Sequence, residues 1–293
     1  NTNLQTGGSV MVKSGKSENH ASGALLLSTT QGKSGSGQVL IQSGVSAVGA
    51  SGNIEIATGS AGSGESGSIS LSIQDSVGEG GNIAILSGAS NTETGGGMFI
   101  LSGGSSTGKS GNIVLSTPSA GASSGKIVLS TGSSVSGNTG SIEVASGNAQ
   151  GGLGGSITML AGSSEDVGGS ISLSAGSSNL KSGGGIFLLS GSSKSAYSGG
   201  VFIASRGSSG SSGSVSILTG KSNNEGSGGI SLMTGNVKEN GIGDKSGDIM
   251  FVVGSTISGV GGSIKLHGGD SHTASGGYVD IITGSSNEQM SGS

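Results

Sequence analysis

Apolar and polar residues alternate along short segments that recur through the whole chain. Each segment follows the pattern G-x-φ-x-φ-x-[ST]-G, in which φ is Ile, Leu, Val, Met or Phe. In the copy that starts at Gly169, Ile171 and Leu173 alternate with serines. This alternation is typical of a strand with one buried face. We therefore predict a short strand in every copy. We call the second and fourth residues after the start glycine the inner positions, and the third and fifth the outer positions.

The pattern returns every 14 or 15 residues, in nineteen copies with no other kind of segment between them. The start glycines are Gly8, Gly23, Gly37, Gly52, Gly67, Gly81, Gly96, Gly111, Gly125, Gly140, Gly155, Gly169, Gly184, Gly199, Gly213, Gly228, Gly247, Gly262 and Gly277. The runs between strands are rich in glycine and serine, which is turn chemistry. A fixed period of this kind indicates a repeat architecture, in which short strands stack to form one continuous core.

A second, longer period is present in the spacing. The 14-residue interval recurs at every third copy, so the true period is 44 residues until a 19-residue interval interrupts it near the C-terminus. The glycine that closes each strand is replaced in one class of copies only, by Thr30, Gln74, Pro118 and Arg206. The shared phase predicts an all-β, parallel β-solenoid (β-helix) with three strands per 44-residue turn and about six turns. One coil per copy and an intertwined homotrimeric spiral are the alternatives.

We predict a single domain over residues 1–293, with a longer corner insertion at 236–246. The repeat runs nearly to both termini and shows no capping module at either one. An uncapped solenoid exposes strand edges and would stack on another copy of itself, or on adjoining repeats of a longer chain. The expected partner is therefore the chain itself, in a head-to-tail homopolymer.

Composition narrows the function classes. Glycine accounts for 66 of the 293 residues, yet apolar residues at regular spacing argue against a disordered linker. The formal charge of −4, with 12 Lys and Arg, leaves no basic patch for nucleic acid. No apolar run is long enough for a membrane span, and the chain has no cysteine.

Few residues stand out as candidates for chemistry. The outer carboxylates Glu55, Glu143 and Asp280 lack a cluster of partners, and the three histidines are isolated in the sequence, so we predict no enzyme, no metal site and no cofactor. Apolar residues at outer positions are possible lateral contacts. They are Phe99, Leu101, Phe187, Leu189, Phe202, Met250 and Val252. The lengthened corner offers a possible loop contact through Lys238, Glu239, Asp244 and Lys245.

Strings such as Gly-Gly-Ser-Ile-Ser-Leu-Ser-Ala-Gly-Ser-Ser, from Gly168, resemble the repeats of secreted Gly/Ser-rich surface proteins of algae and related protists. These include components of extracellular filaments and flagellar hairs (mastigonemes). Bacterial adhesins and phage tail fibres carry similar patterns. The resemblance implies a secreted or cell-surface location and carries over no functional residue.

The sequence therefore predicts a structural subunit of an extracellular filament or matrix, which self-assembles by end-to-end stacking of β-solenoid rungs. The alternative is an adhesin or tail-fibre-like stalk that presents its corner loops to glycans.

Overall fold

The structure is a computed structural model that describes residues 7–223, 226–237 and 245–285. The chain divides into two units, Asn1–Ile142 and Glu143–Ser293. Start glycines up to Gly140 belong to the first unit, and those from Gly155 onward belong to the second. The same local geometry recurs in the copies of each unit. The single domain over residues 1–293 stays a prediction.

The described residues contain neither an α-helix nor a β-strand. The predicted parallel β-solenoid is therefore wrong, and with it the β-helix of three strands per turn and about six turns. The alternation sets which side of a segment each residue occupies, but a strand also needs backbone hydrogen bonds to a neighbour about 4.8 Å away. Across the described ranges, no backbone–backbone bond joins the inner or outer positions of one copy to those of another.

The accessible surface area agrees with the absence of a sheet. It is 29864 Å² for a chain of 27.4 kDa. A folded monomer of this mass exposes about 11,000 Å², and its unfolded chain exposes about 40,000 Å². In the ranges that the structure describes, no apolar side chain is buried. The copies thus keep the local pattern of strands without forming a shared core.

Order in this chain is local, and it lies mainly at the base of the loops. In seven described copies the N–H of a start glycine donates to the carbonyl oxygen of the glycine that closes the preceding copy. These bonds run from Gly23 to Gly15, Gly96 to Gly88, Gly111 to Gly103, Gly169 to Gly162, Gly184 to Gly176, Gly199 to Gly191 and Gly277 to Gly269, with N···O distances of 2.8–3.1 Å. Each bond brings the end of one segment against the beginning of the next.

Two loops whose closing glycine is replaced are held at the base differently. The Thr29 hydroxyl, next to Thr30, donates to the Gly37 carbonyl at 3.1 Å. The Thr117 hydroxyl, next to Pro118, donates to the Gly125 carbonyl at 3.2 Å. A side chain thus makes the contact that backbone makes elsewhere. The copy that starts at Gly155 belongs to the same class but keeps its closing glycine, and it has the backbone bond. Within this class, the loop base is thus closed by backbone where Gly162 ends the copy and by a threonine hydroxyl where Thr30 or Pro118 ends it.

Most loops also contain a serine or threonine turn. The residue two positions after the closing position accepts a hydrogen bond from a backbone N–H two or three residues further on. The acceptors in the described loops are Ser17, Ser76, Ser90, Ser105, Ser134, Ser164, Ser178, Ser193, Ser208, Thr256 and Ser271. Two other loops bend at glycines with positive φ, Gly49 at 122° and Gly64 at 99°.

Each start glycine from Gly23 to Gly262 lies against a residue of the preceding copy, the one just before that copy's closing position. A Cβ on Gly81 would lie 3.1 Å from Ile73, and one on Gly262 would lie 2.6 Å from a Val253 methyl. The start glycine therefore lets the base of the loop close tightly.

We expect the loop-base bonds to be visible in amide exchange. In a dilute solution of the chain, the N–H groups of Gly111 and Gly199 should exchange about two- to tenfold more slowly than those of the inner residues Leu115 and Ile203. The reason is that an intramolecular hydrogen bond contributes about 0.5–1.5 kcal/mol net. Exchange followed by NMR checks this. Strong, uniform protection of the inner residues would contradict the structure.

The hydroxyl closure can be tested by Thr117→Val, which keeps the shape of the side chain. We expect local chemical-shift changes at Gly125 and faster proteolysis of the loop that follows Thr117, because up to about 1 kcal/mol of local stability is lost. Thr131→Val is the matched control, since its copy keeps the closing glycine and Thr131 donates no bond to the start glycine Gly140. Equal effects of the two substitutions would contradict the role given to Thr117.

Candidate functional site

The apolar side chains at the inner positions form the most regular surface feature of this chain. From Leu25 to Val279, the first inner residue of every copy is 47–59% exposed. The second inner residue is 61–81% exposed from Val12 to Ile281. The near-constant values show that every copy presents the same pair in the same way. We call this repeated set of inner side chains the apolar row.

The outer positions predicted as lateral contacts are also exposed. Phe99, Leu101, Phe187, Leu189, Phe202, Met250 and Val252 all lie open to solvent. The predicted set is incomplete, because further large apolar side chains are exposed at outer positions of other copies. They are Met11, Leu26, Leu40, Leu86, Val114, Val128, Leu160, Leu218, Met233 and Ile282. The role of the seven predicted residues in lateral contacts stays a prediction.

Each phenylalanine at an outer position rests on a glycine two residues earlier. A Cβ on Gly97 would lie 3.3 Å from the ring of Phe99. The corresponding distances are 3.0 Å for Gly185 and the Phe187 ring, and 2.8 Å for Gly200 and the Phe202 ring. Residues i and i+2 of an extended segment share a face, so any larger residue at the glycine position would displace the ring. We call these three pairs the ring platforms.

The sequence itself contains a signal that matches the ring platforms. Phenylalanine is the third residue after the start glycine in three copies, and each of them has a second glycine directly after the start glycine. Among the other copies only the one that starts at Gly228 has this second glycine, Gly229, and Ser231 stands there in place of phenylalanine. A Cβ on Gly229 would meet nothing within 4 Å. The structure thus gives a steric reason for the pairing of Gly with Phe.

The predicted loop contact lies mostly outside the described residues. Three of its four residues lie outside the described ranges: Lys238, Glu239 and Asp244. Lys245 is described, and its Nζ lies 2.8 Å from a carboxylate oxygen of Asp248, three residues away. Both side chains are largely exposed, so this ion pair contributes little to stability.

Neither a metal-binding group nor a pocket is found among the described residues. Over residues 7–223, 226–237 and 245–285 there is no group of three His, Cys, Asp or Glu side chains that could hold a metal ion. The same ranges enclose no pocket. They also contain no helix with the length and apolar character needed to cross a membrane. The surface that does recur is the apolar row, together with the ring platforms.

Comparison with known proteins found no matching family model, curated protein or solved structure. The predicted resemblance to secreted filament proteins therefore stays a prediction.

The ring platforms predict a measurable NMR signal. The Hα resonances of Gly185 and Gly200 should be displaced from that of Gly229 by the ring current, because an aromatic ring lies close to the first two glycines and not to the third. Substituting Phe187→Leu and Phe202→Leu should remove the difference, while Phe251→Leu, at an inner position, should leave it unchanged. Equal glycine shifts in the unsubstituted chain would contradict the ring placement.

Proposed function

We propose that this chain is a structural subunit of an extracellular filament or matrix, which assembles by association with further copies of itself. One observation carries the proposal: the apolar side chains at the inner positions are exposed in all nineteen copies. Monomeric proteins rarely leave large contiguous apolar surface open, and such surface typically marks an interaction site. End-to-end stacking of solenoid rungs is not part of the proposal, because residues 7–223, 226–237 and 245–285 form no such rungs.

A second copy of the chain is the partner that fits the apolar row best. The row repeats at 14 or 15 residues, apart from the one 19-residue interval between Gly228 and Gly247, and another copy carries the same repeat. A partner with the same spacing can cover many pairs at once, whereas a partner without it covers only a few. Burying one Ile or Leu contributes about 1.5–3 kcal/mol, and many linked weak contacts produce high avidity.

The loops suit this role because they are polar and short. Their serine turns and loop-base bonds use local groups, so the loops hold their form without a core. Loops of this kind keep solubilising groups beside each apolar pair. The alternative of a stalk that presents loops to glycans has no specific structural observation in its favour.

The experiment compares sedimentation and far-UV circular dichroism over about a hundredfold range of chain concentration. Association should rise with concentration and be accompanied by a gain of β-type signal, because paired segments satisfy backbone groups that are open to water in the monomer. Electron microscopy of the concentrated sample should show elongated particles. Discrete monomers throughout the range would overturn the proposal, and a β-type signal independent of concentration would point to pairing within one chain.

A matched pair of variants tests the apolar row itself. The triple variant Ile113→Ser, Ile127→Ser, Ile142→Ser removes first inner residues from three consecutive copies. It should raise the concentration of half-association by more than tenfold, since each lost side chain costs at least about 1.4 kcal/mol of association free energy. The control is Val45→Ser, Val77→Ser, Val135→Ser, which removes three exposed apolar residues outside the inner and outer positions. We expect less than about a twofold change for the control, and similar changes in both variants would contradict the role of the row.

A further inference from the structure

Resting on the proposed function, we infer that the ring platforms at Phe187 and Phe202 are a second contact surface, through which associated copies pack side by side. These two rings occur in consecutive copies of the second unit, with Leu189 at another outer position between them. The three side chains are 82–94% exposed. The copies from Gly184 to Arg206 are therefore apolar at both inner and outer positions, and covering the apolar row alone leaves one of these two sides in water.

The glycine platforms prepare the rings for contact. An exposed phenylalanine normally samples several rotamers, and fixing them on binding costs conformational entropy. Here each ring already lies against the backbone of Gly185 or Gly200. The Phe187 and Phe202 side chains are 82% and 94% exposed, so most of each ring surface stays open to a partner. The pairing of Gly with Phe holds in all three copies that bear phenylalanine at an outer position.

The chemistry around the rings favours a second copy over a carbohydrate. A sugar needs hydrogen-bonding groups beside the aromatic ring for its hydroxyls. The residues two positions before and after these rings are instead Gly185, Leu189, Gly200 and Ala204. Another copy presents the same apolar rings, and two such surfaces satisfy each other by offset or edge-to-face contact.

The pair of rings buries too little area to drive association by itself, so it is secondary to the apolar row. Two phenylalanines bury about 300–500 Å² together. A stable interface needs about 800 Å² per partner. The pair of rings is therefore too small to hold two free chains together. It acts once the apolar row has assembled copies into a particle that presents many such pairs at regular intervals.

The experiment measures the width of assembled particles by electron microscopy and the concentration of half-association by sedimentation. In Phe187→Ser/Phe202→Ser, the fraction of particles wider than the narrowest assembled form should fall about tenfold, while half-association shifts less than about threefold. Gly185→Ser/Gly200→Ser should reproduce the loss of wide particles, because the new side chain displaces the ring. Gly229→Ser is the matched control and should behave like the unsubstituted chain.

Each outcome distinguishes this inference from the function on which it rests. If the unsubstituted chain does not associate, both are overturned. If it associates and the phenylalanine variant still forms wide particles, only the side-by-side contact is overturned. If the phenylalanine variant narrows the particles but the glycine variant does not, the platform role is overturned. Shifts of the Phe187 and Phe202 resonances by cello- or chito-oligosaccharides in dilute chain, together with unchanged particle width in the variants, would assign the rings to glycan binding instead.

Discussion

An extended segment with apolar side chains on one side is incomplete by itself, because both its side chains and its backbone groups need a neighbouring segment. Every copy in this chain has this need, and the chain does not meet it internally in the described residues. The inner side chains stay half exposed or more, and backbone bonds form at the loop bases. The loops, turns and glycine contacts form from groups that are close in sequence. The extended segments between them stay unpaired.

The local features of this structure could be predicted from the sequence, and the pairing could not. The glycine-rich runs mark the loops, where the structure has bends and loop-base bonds. The strand predicted from the alternation of Ile171 and Leu173 with serines is absent. Pairing requires one segment to prefer a particular partner. The sequence Gly-Ser-Ile-Ser-Leu-Ser begins at both Gly67 and Gly169, so either segment fits wherever the other does. Register is weakly specified in such segments, and ordering each residue costs about 1–2 kcal/mol of entropy.

The glycines also show how far single residues can be interpreted from the sequence alone. By composition they suggest a flexible chain, yet many have separate steric reasons. Gly81 and Gly262 allow a loop to close against Ile73 and Val253, whereas Gly200 carries a ring. The second glycine before each outer phenylalanine was available as a sequence signal, since it accompanies the ring in every case. Its meaning depends on knowing that the residue and the ring share one face, which the structure supplies.

Similarity between copies and difference between copies have opposite consequences for assembly. A row of near-identical apolar pairs can bind another such row at many offsets, which adds strength but leaves the offset undefined. Phenylalanines at a few outer positions break that equivalence. Because the motif from Gly97 returns at Gly185, 88 residues later, a chain shifted by two 44-residue periods brings one ring-bearing segment opposite another. A shift of 15 residues likewise brings Phe202 opposite Phe187, whereas a shift of a single 44-residue period places Phe99 opposite Glu55. The irregular outer residues can therefore select among offsets that the regular inner residues leave equal.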